Sequence, residues 1–148
     1  MTYTPSAYAS IHVHDAAAAQ NVATGATYTK MTCFTDDGDD LNATSDAAND
    51  KIIITEPGVY RAVCSISWTS GTNSVTFFGS LFVDGTENDA LHVTRKIGTA
   101  GDVGSATISG LLTVATVPVD IDLRMRHDNG GTVAATISYS NLSINKIG

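Results

Sequence analysis

The densest group of chemically capable side chains is an acidic run in the first third of the chain. Its members are Asp36, Asp37, Asp39 and Asp40, with one glycine between the two pairs. Carboxylate oxygens are the ligands that Ca²⁺ prefers, although the run does not follow the ligand order of an EF-hand loop. The sequence therefore predicts either a weak calcium site or a solvated acidic loop here, and no other cofactor.

Histidines and cysteines offer the only other candidate metal or redox chemistry. His12 and His14 stand two residues apart, so a strand would place both side chains on one face. No third ligand lies nearby in the sequence, which favours two histidines without a metal. In the alternative, a metal site, threefold symmetry-related copies of the chain would supply the missing ligand. Cys33 and Cys64 have no C-x-x-C spacing, which favours two small buried apolar residues, with a disulfide as the alternative.

Recognisable catalytic motifs are missing from the sequence. There is no G-x-S-x-G elbow, no H-E-x-x-H pair and no P-loop. The glycine-rich segment 98–104 joins two predicted strands and is not followed by a helix that could bind phosphate at its N-terminus. The sequence therefore predicts a protein that is not an enzyme.

The size and charge of the chain exclude several classes of partner. Its 148 residues carry a net charge of −7, which argues against binding nucleic acid through phosphate neutralisation. No stretch approaches the roughly 20 apolar residues that a membrane helix needs. The first residues, Met1–Pro5, have neither the basic nor the apolar region of a secretory signal. We therefore expect no nucleic-acid partner and no membrane partner.

Alternation of apolar and polar residues is the dominant pattern and predicts an all-β protein. In residues 119–128, Val119, Ile121, Leu123 and Met125 alternate with charged residues, as in a half-buried strand. The same reasoning predicts about nine strands, at 8–14, 24–34, 51–55, 58–69, 74–84, 89–97, 105–117, 119–128 and 132–147. A change of apolar phase in the last of these predicts a bulge near Ser140 or Asn141. Short strands joined by Gly-rich turns, without intervening helices, indicate a single antiparallel β-sandwich.

Two predicted strands are apolar on both faces, which exceeds what a lone sandwich needs. In 74–84 the pair Phe78 and Phe82 faces away from Phe77 and Leu81, and in 105–117 Leu111 faces away from its apolar neighbours. An outward apolar face is covered either by another chain or by a loop of the same chain. We expect oligomerisation, and the loop remains the competing explanation.

The segment Ile52-Ile53-Ile54-Thr55-Glu56-Pro57-Gly58-Val59-Tyr60-Arg61-Ala62-Val63 resembles a core signature of the tumour-necrosis-factor and complement-q-type jelly rolls. The end of the chain, Tyr139–Ile144, is similar to the closing strand of that fold. The resemblance implies a jelly-roll β-sandwich of 9–10 strands over residues 8–148, after a short arm at 1–7. It also implies a homotrimer of jelly rolls, for which the interface candidates are Phe78, Phe82, Leu111 and Tyr139.

Phage proteins that resemble this family suggest what such a trimer does. We expect a capsid decoration (cement) protein on the virion surface, which binds the major capsid protein of a phage and stabilises the head. The capsid-contact candidates are the arm residues Thr2, Tyr3, Thr4 and Pro5. The alternative is a trimeric tip domain of a phage fibre that binds a receptor or carbohydrate. A soluble cytokine is disfavoured by the missing secretory signal.

Overall fold

The computed structural model describes residues 6–15 and 18–148, and nearly all regular structure within them is β-strand. The strands are β1 (Tyr8–His14), β2 (Ala19–Thr24), β3 (Thr29–Lys30), β4 (Asp36–Asp37), β5 (Ala43–Asp46), β6 (Lys51–Ile54), β7 (Gly58–Ser70), β8 (Val75–Val83), β9 (Thr86–Ile97), β10 (Val103–Val114), β11 (Val119–His127) and β12 (Val133–Lys146). A single 3-10 turn, Ala47–Asn49, accompanies these described strands. None of the described segments is a helix long and apolar enough to cross a membrane.

The first sheet has the strand order β10-β7-β12-β1-β4, and all its neighbours are antiparallel. Its centre is β7, where alternate side chains from Tyr60 to Trp68 are buried. Between them, Arg61 and Ser65 are exposed. Because side chains alternate across a strand, one face of this sheet packs into the core and the other faces solvent.

The second sheet has the order β9-β8-β11-β6-β5, again antiparallel, and β3 also pairs with β11. Strand β2 connects the sheets, because it pairs first with β12 and then, in parallel, with the end of β11. His127 is fully buried at this crossing. Its Nε2 donates to the carbonyl of Val22 at 2.9 Å, and its Nδ1 accepts the N–H of Asn129 at 3.2 Å. A neutral ring with its proton on Nε2 satisfies both contacts.

A single apolar core lies between the two sheets. Its largest fully buried side chains include Trp68 and Tyr60 of the first sheet and Phe77 of the second. The rings of Trp68 and Phe77 meet edge to face with centroids 5.8 Å apart, so an aromatic pair joins the sheets. The Tyr60 hydroxyl donates to the Glu56 carbonyl at 2.6 Å, which satisfies the polar end of a buried ring.

The loops and chain ends collect at two opposite ends of the sandwich. One end, which we call the base, is formed by Ser6, the turn 55–57 and Gly148. There the Val59 N–H donates to the Gly148 carbonyl at 2.7 Å. We call the tip the opposite end, which contains Asp15, Gly25 and the loops 71–74, 98–102 and 128–132.

The structure confirms the all-β sandwich and corrects details of the strand assignment. The predicted strand over 24–34 is wrong: β2 ends at Thr24, Gly25 turns the chain at a φ of 76°, and only Thr29–Lys30 resume pairing. The irregularity of β12 falls between Ile137 and Tyr139, just before the predicted position. Strand β5 was not predicted, because its sequence, Ala-Thr-Ser-Asp, carries little apolar signal.

Candidate functional site

The large apolar side chains left exposed by folding concentrate on the outer face of the first sheet. In the described part of the chain they are Tyr8, Leu41, Val103, Leu111, Tyr139 and Ile147, each between 41% and 62% exposed. Directly opposite residues of an antiparallel pair share a face. Leu111 lies opposite Arg61, Tyr139 opposite Ser67, and Leu41 bridges to Tyr8. Four of the six therefore lie at outward positions of β1, β10 and β12, Leu41 extends the same face, and Ile147 directly follows β12.

The rest of this face is small, polar and sparsely charged. Outward positions on its three longest strands are mainly serine, threonine and asparagine: Ser65, Ser67, Thr69, Ser105, Thr107, Ser109, Thr113, Asn141, Ser143 and Asn145. The Ser67 and Ser105 hydroxyls hydrogen-bond across β7 and β10 at 3.0 Å. Short side chains leave the sheet flat, so a second surface can approach it closely.

A small polar cluster lies on this face near the tip. The Tyr139 hydroxyl donates to the Asp15 carboxylate, and this hydrogen bond raises the pKa of the tyrosine. His14 packs its ring edge to face on Tyr139, with centroids 5.0 Å apart, and its Nδ1 is 3.3 Å from Asp15. His12 shares the face at the next outward position of β1. Tyr139, Asp15 and His14 are all exposed, so solvent weakens the electrostatic interactions within the cluster.

The acidic run forms a loop whose carboxylates bind neighbouring backbone. Asp37 accepts the N–H of Ala47 at 2.7 Å, and Asp40 accepts the N–H of Ser45 at 2.8 Å. Asp36 accepts the hydroxyl of Thr35, and Asp39 is exposed. Across the described residues, no three His, Cys, Asp or Glu side chains come together as a metal site would need. The hydrogen bonds account for Asp37 and Asp40 as loop supports, and calcium binding stays a prediction.

Phe78 and Phe82 lie on the opposite side of the molecule, on the outer face of the second sheet. The Arg126 guanidinium carbon is 3.8 Å from the Phe78 ring centroid, and that of Arg124 is 4.4 Å from the Phe82 centroid. Tyr28 packs edge to face on Phe82 at 5.1 Å. The second apolar face of β8 is thus packed against side chains of the same chain, which are two arginines of the neighbouring strand β11 and Tyr28 of the segment between β2 and β3. The long loop of the competing explanation is not what covers Phe78. The four predicted interface residues therefore divide between two faces, with Leu111 and Tyr139 on the first sheet and Phe78 and Phe82 on the second.

The predicted capsid-contact residues Thr2, Tyr3, Thr4 and Pro5 lie outside the described residues. Ser6 lies at the base, where its carbonyl accepts a hydrogen bond from the Asn42 side-chain amide at 2.9 Å. Ala7 is buried, and Tyr8 starts β1. Ala7, which the sequence assigns to the arm, thus belongs to the core, and the division into arm and domain stays a prediction.

Both cysteines are free thiols rather than a disulfide. Cys64 is buried in the core, 3.8 Å from the Ser140 hydroxyl, and Cys33 is half-buried. Burial raises the pKa of each thiol to about 12. Neither is therefore a nucleophile at neutral pH, because the thiolate is the reactive form.

A cavity of about 110 Å³ lies beside Cys33 and is lined by Met31, Thr32 and Ile137, among others. Pockets that enclose small-molecule ligands measure roughly 300–1,000 Å³. This cavity is therefore too small for a substrate of ordinary size.

Sequence reasoning identified Leu111 and Tyr139 as candidate contact residues but missed the exposed Tyr8, Leu41 and Val103. Tyr8 could have been found, because Ala9, Ile11 and Val13 fix the inward phase of β1 and put Tyr8 outward. Leu41 carries no such signal, since it lies in a loop and reaches the sheet through one bridge to Tyr8.

Comparison with solved structures identifies the fold. The chain is similar to the globular domain of zebrafish complement 1qA protein, with a TM-score of 0.67 and 15% identity over 97% of this chain and 98% of that one. It is similar to murine APRIL (TM-score 0.59, 12% identity, 95% and 99% coverage). It also resembles the Eiger TNF from S. frugiperda (TM-score 0.56, 8% identity, 96% and 94% coverage).

These similarities confirm the predicted all-β jelly roll of the tumour-necrosis-factor and complement-q type. No protein-family model matches the chain, and no curated protein matches it in sequence.

Proposed function

We propose that this chain is a non-enzymatic structural protein that assembles with itself through the outer face of its first sheet. The observation that carries the proposal is the concentration of exposed apolar side chains on that face, Leu111 and Tyr139 among them. Burying apolar surface stabilises an assembly by about 25 cal/mol per Å². The small serine and asparagine residues between these side chains allow the close packing that an interface core needs.

Charge supports the choice of this face. The chain carries a net charge of −7, so copies of it repel one another unless the contact surface is nearly neutral. On the outer face of the first sheet the exposed charged side chains are few, chiefly Arg61, Asp36 and Asp15. A sparsely charged face with exposed apolar residues is the surface on which association of an acidic chain costs least.

The proposed assembly is a homotrimer. The number three follows from the jelly-roll family that the fold resembles, in which the domains pack about a threefold axis. In such a trimer the first sheets would face the axis, and the second sheets would face outward. The base and the tip would then form the two ends of the particle.

The finer role that we propose is decoration of a phage head. In this role the trimer sits on the virion surface and binds the major capsid protein through the arm residues Thr2–Pro5. The position of Ser6 at the base supports this arrangement, because all three arms would then leave the trimer at one end.

A receptor-binding or carbohydrate-binding tip domain of a phage fibre is the second candidate. It is favoured by the tip, where the loops 71–74, 98–102 and 128–132 lie together and away from the arm. Exposed loops held by a rigid scaffold are common binding surfaces.

A binding assay on heads that lack their decoration protein separates these roles. We expect the wild-type trimer to bind the heads, and a variant without residues 2–5 to keep its trimeric mass but lose binding. A protein that ignores such heads and binds host cells would contradict the cement role and support the fibre-tip alternative. A variant that loses its trimeric mass would show that the arm acts in assembly instead.

A further inference from the structure

We infer that Arg126, on the outer face of the second sheet, is the centre of a binding site for the carboxylate of an acidic polysaccharide. The site is complete within one protomer and does not rest on the proposed trimer. Three contacts hold the guanidinium of Arg126 in place. The guanidinium carbon lies 3.8 Å from the Phe78 ring centroid and 5.2 Å from that of Tyr28, and Nη1 donates to the Gly25 carbonyl at 3.0 Å.

Arg126 differs from its neighbour Arg124 in having no carboxylate partner. Arg124 donates through Nε and Nη2 to both oxygens of Asp122, at 2.7 and 3.2 Å. Over residues 6–15 and 18–148, no carboxylate comes within 4.0 Å of the Arg126 nitrogens. A guanidinium has five N–H donors, so most of those of Arg126 remain for a ligand.

The acids near Arg126 on this face are bound elsewhere. Glu87 accepts the Tyr28 hydroxyl at 2.9 Å, and Asp128 accepts the backbone N–H of Thr76 at 2.9 Å. The hydrogen bonds from Thr76 hold the pKa of Asp128 below its usual value. Neither acid forms an ion pair with the Arg126 guanidinium within 4.0 Å.

The outward rows of the second sheet on either side of Arg126 carry basic and polar side chains. Lys30 and Arg124 lie on one adjacent row and Lys96 on the other, whereas the outward acids Asp120 and Asp122 of the same sheet pair with Lys51 and Arg124. The register places Phe78 between Arg126 and the exposed Thr94, with Lys96 and His92 on the adjacent rows of the sheet. Successive outward rows are about 7 Å apart, a spacing that lets these side chains contact other parts of one sugar.

The chemistry of the site favours a carboxylated sugar. A planar guanidinium matches the two oxygens of a carboxylate in a forked pair, and aromatic stacking fixes its plane in advance. The exposed hydroxyl of Thr94 and the side chains of His92 and Lys96 suit the hydroxyl groups of a sugar ring. The flat sheet and its polar neighbours favour a polysaccharide over an acidic peptide.

Alginate, a polymer of uronic acids, is the probe that tests this site, with neutral dextran and polyglutamate beside it. We expect wild-type protein to bind alginate, to ignore dextran and to bind polyglutamate more weakly. Arg126→Met, which keeps an apolar stem on Phe78, should weaken alginate binding roughly tenfold to a hundredfold, as expected for loss of a charge-assisted hydrogen bond. Arg95→Met, which removes an exposed charge of β9 outside this cluster, should have little effect.

A spectroscopic readout keeps the test independent of how the variants fold. Titration of wild-type protein with glucuronate should shift the NMR resonances of the Phe78 and Tyr28 rings and leave that of Tyr139 unchanged. The proposal is overturned if alginate does not bind, if polyglutamate binds equally well, or if Arg95→Met costs as much as Arg126→Met. Tyr139 lies on the first sheet, so ring shifts confined to Phe78 and Tyr28 do not come from a change of oligomeric state.

Discussion

Replacing Leu111 by aspartate should dissociate the assembly without unfolding the protomer. Leu111 is 52% exposed, so about half of its burial energy remains to be gained on association. Full burial of a leucine is worth roughly 1.5–3 kcal/mol, so the exposed half contributes about 1 kcal/mol. Over three protomers the loss is about 3 kcal/mol, which weakens trimer formation roughly 100-fold. The buried carboxylate adds a desolvation cost in the same direction.

Sedimentation velocity over a wide concentration range measures this effect. The control is Thr44→Asp, which adds the same charge at an exposed position of β5 on the edge of the second sheet. We expect Thr44→Asp to sediment as wild type and Leu111→Asp to dissociate at much higher concentration. If a folded Leu111→Asp protein sediments like the control, the first sheet is not the contact face and the reasoning fails.

Three further outcomes test the packing and the chemistry of the protomer. Gly110→Ala should destabilise the fold by about 1–3 kcal/mol in urea unfolding, because its methyl group would come within 2.7 Å of a leucine side-chain carbon on β9; an unchanged midpoint would contradict this packing. Cys33 and Cys64 should resist a thiol reagent at pH 8 in the native protein and react fully in denaturant, since their pKa values are raised to about 12. For the same reason the free energy of unfolding should fall as the pH rises from 9 towards 12, where only unfolded thiols ionise. Arg124→Met should lower the free energy of unfolding by about 1–3 kcal/mol, because it leaves the buried Asp122 carboxylate without its partner. Adding Asp122→Asn should recover part of that loss, and equal stabilities of the single and double variants would argue against the pair.

The fold could be predicted from the sequence wherever inward apolar residues of a strand alternate with outward polar ones. Strands β7 and β11 meet this condition, so alternation around Tyr60 and Ile121 located them correctly. The prediction failed over 24–34, where pairing is short and depends on Gly25 and on the end of β11. Those contacts are tertiary and leave no periodic signal in the chain.

The candidate site was only partly predictable, because alternation shows which residues face outward but not what covers them. Phe78 and Leu111 both occupy outward positions. Arg126 stacks on Phe78, whereas Leu111 is left exposed. The partner of each side chain comes from a neighbouring strand that is distant in sequence, so the sequence pattern cannot distinguish the two cases.

The molar mass of the protein in solution tests the proposed assembly most directly. Light scattering during size-exclusion chromatography gives this mass without assumptions about shape. Three copies of a 15.4 kDa chain predict about 46 kDa for the trimer. A mass that stays at 15.4 kDa at the highest attainable concentration would contradict self-association through the first sheet.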